Sequence, residues 1–92
     1  MIIGTLRVRL LLREARTLKD KRQVLQSIKD RLRQSFNVSV AEIEALDNPR
    51  SIVLGMAMVC NEAHPIKQTL GEIVNALKAH PIAEFVDSEI EV

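Results

Sequence analysis

The sequence predicts a single α+β domain of the ferredoxin-like type, β-α-β-β-α-β, with a four-stranded antiparallel sheet and two helices on one face. Three observations predict it. Apolar residues recur at helical spacing in two segments, and strand-like runs lie before, between and after them. Two of the strand-like runs stand consecutively between the helices, which is the split βαβ order. The first and last runs carry opposite charges on one face, as sheet neighbours would. The 92 residues fit one domain, 1–92, and leave no room for two.

Ile2 to Leu12 alternates, with Leu6, Val8, Leu10 and Leu12 on one face and Thr5, Arg7 and Arg9 on the other. Thr17 is the expected N-cap of the first helix, and Asp20, three residues on, completes a capping box. Leu18, Val24, Leu25, Ile28, Leu32 and Phe36 form the apolar stripe of that helix. Lys21 falls inside this stripe, so its ammonium is expected at the rim or paired with a carboxylate. Asn37 suits a left-handed helix end. Val38 to Leu46 is the second strand, and Asp47-Asn48-Pro49 marks a turn. Ser51 to Cys60 is apolar on both faces and should be central. Pro65 fits the first turn of a second helix with the stripe Ile66, Leu70, Ile73, Val74 and Leu77. Gly71 inside it points to close packing, and Pro81 ends it. In the final strand, Phe85 to Val92, Val86, Ser88, Ile90 and Val92 alternate with Asp87, Glu89 and Glu91. The acidic set would face Arg7 and Arg9 across the sheet.

Hydrophobic residues make up 47% and aromatics 2%, so the core must be aliphatic and stacking platforms for unpaired bases are lacking. The single cysteine, Cys60, excludes an internal disulfide and fits a reducing compartment. No apolar run is long enough to span a bilayer, and the alternating start does not read as a signal peptide. The expectation is a cytoplasmic protein without membrane contact.

The net charge of +1 hides an asymmetry. Residues 1–33 hold ten Lys+Arg against three Asp+Glu (+7), and residues 34–92 hold three against nine (−6). Arg22, Gln26, Lys29 and Arg33 form a stripe on the first helix at i, i+4, i+7 and i+11, with Lys19 beside it and Arg16 just before the helix. No carboxylate lies on that stripe. Like charges at this spacing cost helix stability, and the field they create suits a polyanion. The bland alternative is a solvated helix face.

The runs Ala15-Arg16-Thr17-Leu18-Lys19-Asp20-Lys21-Arg22, Arg31-Leu32-Arg33 and Phe36-Asn37-Val38-Ser39-Val40-Ala41-Glu42 resemble the YlxP-like family of small bacterial proteins of unknown function. The Gly4-Thr5-Leu6-Arg7-Val8 start and Leu54-Gly55-Met56-Ala57 extend the likeness over nearly the whole chain. Thr17 and Asp20 stand where Ser and Glu are usual in that family. The resemblance implies a ferredoxin-like fold and genes often placed near those for translation initiation factors and ribosome-binding factor A. It implies no established activity and no catalytic residues.

The leading reading is a non-enzymatic RNA- or ribosome-associated protein, with Arg16, Lys19, Arg22, Lys29 and Arg33 as phosphate contacts. The second is a homodimeric interaction module. If Ile52, Leu54, Met56 and Met58 face the helices, then Val38, Val40, Val53, Ala57 and Val59 form an apolar patch on the opposite face, together with Gly55. A phosphate site at the start of the first helix would have to contend with Asp20. An acylphosphatase-like activity is disfavoured because Arg13-Glu14-Ala15-Arg16 lacks the glycine-rich anion cradle. Cys60 and His64 are too few to hold zinc. No cofactor, metal or catalytic residue is expected.

Overall fold

The computed structural model describes residues 1–92. β1 (Ile2–Leu11), α1 (Leu18–Ser35), β2 (Ser39–Glu44), β3 (Ser51–Cys60), α2 (Ala63–Lys78) and β4 (Glu84–Glu91) follow in the expected order. They build one sheet, β2-β3-β1-β4, in which every neighbouring pair is antiparallel. β1 and β3 are central, and β2 and β4 are the edges. The fold is ferredoxin-like.

The core lies between the sheet and the helices. Alternation turns Leu6, Val8 and Leu10 of β1 and Ile52, Leu54 and Met56 of β3 inward. Helical spacing delivers Leu25, Ile28 and Leu32 from α1 and Ile66, Leu70, Ile73 and Leu77 from α2. Gly4 permits the close approach of α2, because a Cβ there would overlap Ile66.

Four expectations need correction. Phe36, the C-cap of α1, is extended, and the one residue with positive φ is Ala45 rather than Asn37. The α1 end therefore has no left-handed cap. Gly71 is not a close-packing site, since a Cβ there would have nothing within 4 Å. In β4 the pairing with β1 shifts between Arg9 and Leu10, so Val86 bulges outward and Phe85 takes the inward place opposite Leu10. Val38 and Val40 lie on the helix side of the sheet, not on the far face. Val40 pairs with Met56 and is 6% exposed.

Candidate nucleic-acid interface

The start of α1 forms as expected. Thr17 Oγ1 accepts from the Asp20 N–H at 3.2 Å, and the Asp20 carboxylate accepts from the N–H groups of Arg16 at 3.0 Å and Thr17 at 3.2 Å. The backbone bonds, first from Arg16 and then from Thr17, hold the Asp20 carboxyl below its ordinary value. The helix start is thus occupied by its own carboxylate, whose charge opposes an anion there.

Lys21 is where the structure goes furthest beyond the sequence. It is 1% exposed, and its Nζ donates to the carbonyls of Ala45 at 2.8 Å, Leu46 at 3.3 Å and Asn48 at 2.9 Å. Three ammonium protons serve three carbonyls. Glu42 Oε2, 2.7 Å from Nζ, accepts no hydrogen bond and contributes its charge. The ammonium therefore staples the β2–β3 connection to α1. It does so around Ala45, whose φ of 57° is costly for a residue with a Cβ. Only the pairing with a carboxylate was legible beforehand; the carbonyl cage depends on a turn whose shape no motif signals.

The remaining cations divide into distinct groups. Arg7 bonds Glu44 at 2.8 Å, Arg9 lies 3.3 Å from Asp87, and Arg13 bonds Glu84 at 2.6 Å. Arg9 meets the acidic last strand as expected. Arg7 pairs in register with Glu89 but reaches across β3 to Glu44 on the opposite edge instead. The Arg13 guanidinium holds the Glu84 carboxyl below its usual range, and Glu44 reinforces the protonation of Arg7. Arg50 donates to the Ala15 carbonyl, and Lys78 sits over the Phe85 ring. Nine Lys and Arg have no carboxylate within 4.0 Å: Arg16, Lys19, Arg22, Lys29, Arg31, Arg33, Arg50, Lys67 and Lys78. Six of these nine lie on α1 or immediately before it.

Arg16, Lys19, Arg22 and Arg33 are exposed and Lys29 is half-buried. One member of the stripe is tethered: Arg33 Nη2 donates to the Val40 carbonyl of β2 at 3.0 Å. This bond locates the stripe on the flank of α1 that overlooks the β2 edge. Arg31 lies on the other flank, facing His80. The Nδ1 of His80 accepts from the N–H groups of Ile82 at 3.1 Å and Ala83 at 3.0 Å. Burial, and then Arg31, push His80 below its ordinary value.

The far face of the sheet holds a shallow depression of about 440 Å³ lined by Ala41, Ile43, Gly55 and Ala57, with Arg7, Glu89 and Glu91 at its margin. Val53 is on this face but only 3% exposed, where the Arg7–Glu44 pair crosses β3. Val59 is 58% exposed, and Ile3 and Ile43 are exposed as well. Of the five residues expected to form an apolar patch, Val53, Ala57 and Val59 share the face. Ile3 and Ile43 join them; both were overlooked because each lies at a strand end or beside a bulge. Cys60 is a free thiol near Asn61, and no cluster of three or more His, Cys, Asp or Glu could hold a metal ion. No helix is long and apolar enough to cross a membrane.

Fold and site together define a small ferredoxin-like α+β protein whose first helix presents unpaired cations. The profile of a family described as "Protein of unknown function (DUF503)" matches residues 3–90, and the chain belongs to that family. No curated protein matches the chain.

Proposed function

We propose that this is a non-enzymatic cytoplasmic protein that binds RNA, in the setting of the ribosome, through the outer flank of α1. The observation that carries the reading is the separation of its cations. Those on the sheet are matched by carboxylates, whereas Lys19, Arg22, Lys29 and Arg33 are held side by side without one. Holding like charges on one helix flank costs stability, and a polyanion would offset that cost on binding. With no aromatic on the flank, contact would follow the phosphate backbone rather than base stacking. The resemblance to YlxP-like proteins, with their gene neighbours in translation, supports the same direction.

Binding of a short duplex RNA and of ribosomal subunits, measured against salt, tests the proposal. Affinity should fall steeply with salt. The combined substitutions Arg22→Glu, Lys29→Glu and Arg33→Glu should lower the slope of log affinity against log salt by about 2 to 3. Unchanged affinity and slope would sink the reading.

A second reading is favoured by the exposed Ile3, Ile43 and Val59 around the far-face depression. They would form a homodimer contact. Sedimentation at micromolar concentration should then show a dimer that Val59→Glu converts to monomer.

A further inference from the structure

The two edges of the sheet are guarded unequally. β4 carries Glu84, Asp87, Glu89 and Glu91 and bulges at Val86, and both devices oppose the addition of another strand. β2 also shifts register, between Glu42 and Glu44, but Ser39 to Glu42 stay in regular pairing with β3; Lys21 and Arg7 neutralise Glu42 and Glu44, and the strand has neither Lys nor Pro.

The register shows which backbone groups of β2 are free. The Leu12 N–H donates to the Arg50 carbonyl at 2.7 Å, one step beyond the β1–β3 ladder. Hydrogen-bonded and non-bonded pairs alternate from there, so the even residues of β3 bond β1 and the odd ones bond β2. Ala57 and Gly55 accordingly bond Ser39 and Ala41. The N–H and C=O groups of Val40 and Glu42 point away from the sheet. Of these four groups only the Val40 carbonyl has a side-chain partner, the guanidinium of Arg33.

A strand added here would present alternate side chains to two different surfaces. On the far face they would lie beside Ala41 and the exposed Ile43. On the helix face they would lie beneath Lys29 and Arg33, and the bond to Val40 shows that Arg33 reaches this far down. The pattern that fits is β-branched residues alternating with acids. A second copy of β2 does not fit. Two-fold pairing in a continuous sheet would bring Lys29 and Arg33 of both copies together.

We infer that the β2 edge accepts an extended acidic segment of a partner protein as a fifth strand, with Lys29 and Arg33 pairing its carboxylates. Main-chain bonds to Val40 and Glu42 would supply affinity, and the alternating acids would supply selection. The inference goes beyond RNA binding and does not depend on it.

The test is titration of the full chain with the peptide acetyl-Thr-Glu-Val-Glu-Val-Glu-Thr-amide, followed by amide NMR and hydrogen exchange. Saturable binding should shift and protect the Val40 and Glu42 amides. Lys29→Glu combined with Arg33→Glu should weaken it at least about tenfold. A peptide with Lys in place of Glu, or with alternate backbone N-methylation, should not bind, which keeps the test decisive if the double variant misfolds. The inference is overturned by absence of binding, by equal binding of the Lys peptide, or by shifts that spare Val40 and Glu42. It is overturned equally if those amides are protected in a dimer of the chain alone, or if duplex RNA rather than the peptide protects them.

Discussion

The two helices do the same structural work and carry different surfaces. Each buries four residues at identical spacing: Lys21, Leu25, Ile28 and Leu32 in α1, and Ile66, Leu70, Ile73 and Leu77 in α2. Both stripes cover one sheet face. Yet α1 holds six Lys+Arg and two Asp, whereas α2 holds two Lys and one Glu. α2 shows that packing on this sheet requires no basic flank. The excess charge of α1 is therefore not a demand of the fold, and this is the strongest physical reason to look for its ligand.

Lys21 stands in α1 where Ile66 stands in α2, which makes the largest test of the comparison. Lys21→Ile copies the α2 solution. It should destabilise the chain by about 3–5 kcal/mol in urea unfolding, because Glu42 loses its counter-charge in a largely buried place. Adding Glu42→Leu should recover part of the loss, since removing both members of a buried pair costs less than removing one. If Lys21→Ile alone is neutral, the ammonium is not the staple that its three carbonyl bonds make it.

The helices also begin differently. Thr17 and Asp20 cap α1 reciprocally, while Glu62, the N-cap of α2, makes no side-chain cap bond. Thr17→Ala should cost about 1 kcal/mol, and Glu62→Ser should add up to about that much, each read from the denaturation midpoint. Equal and negligible effects would erase the distinction.

What could be read in advance follows the range of the interactions. The order of elements, the α1 capping box, the span of β3 and both apolar stripes were legible, because each depends on residues a few positions apart. The Arg9–Asp87 contact was legible because charges alternate with the strand period. The bulge at Val86 was not: it moves one residue out of register, and the alternation alone gives Val86 and Phe85 the wrong faces. Val38 and Val40 were misplaced for a related reason. Which face of a strand turns inward is decided by pairing, here Val40 with Met56, and not by the strand's own pattern. Of the candidate site, the cations were legible and their partners were not. Arg7 reaching Glu44 and Arg33 reaching Val40 both join segments whose proximity only the sheet order creates.

A smaller test concerns Gly71 of α2. Nothing lies within 4 Å of where its Cβ would be, and the backbone there is helical. Gly71→Ala should raise stability by about 0.5–1 kcal/mol through the lower entropy of the unfolded chain. A loss of stability would mean that a close neighbour constrains this turn after all.

The smallest effect lies where the helices meet. His80 follows α2, faces Arg31 of α1, and accepts two backbone N–H bonds through Nδ1. The acceptor must be unprotonated, so the ring proton resides on Nε2. Burial and Arg31 both keep His80 from protonating until the pH falls below its ordinary value of 6.5. The unfolded chain takes up that proton first. The stability His80 contributes is therefore complete above 6.5 and declines as pH falls from 6.5 to the lowered folded value, below which it changes no further. Arg31→Gln removes the smaller of the two causes and should flatten part of this slope while raising the His80 titration midpoint seen by NMR. His80→Gln should abolish the slope. A midpoint at or above 6.5 in the folded protein would show that the ring does not accept the Ile82 and Ala83 amides through Nδ1, the bonds that tie the end of α2 to the approach to β4.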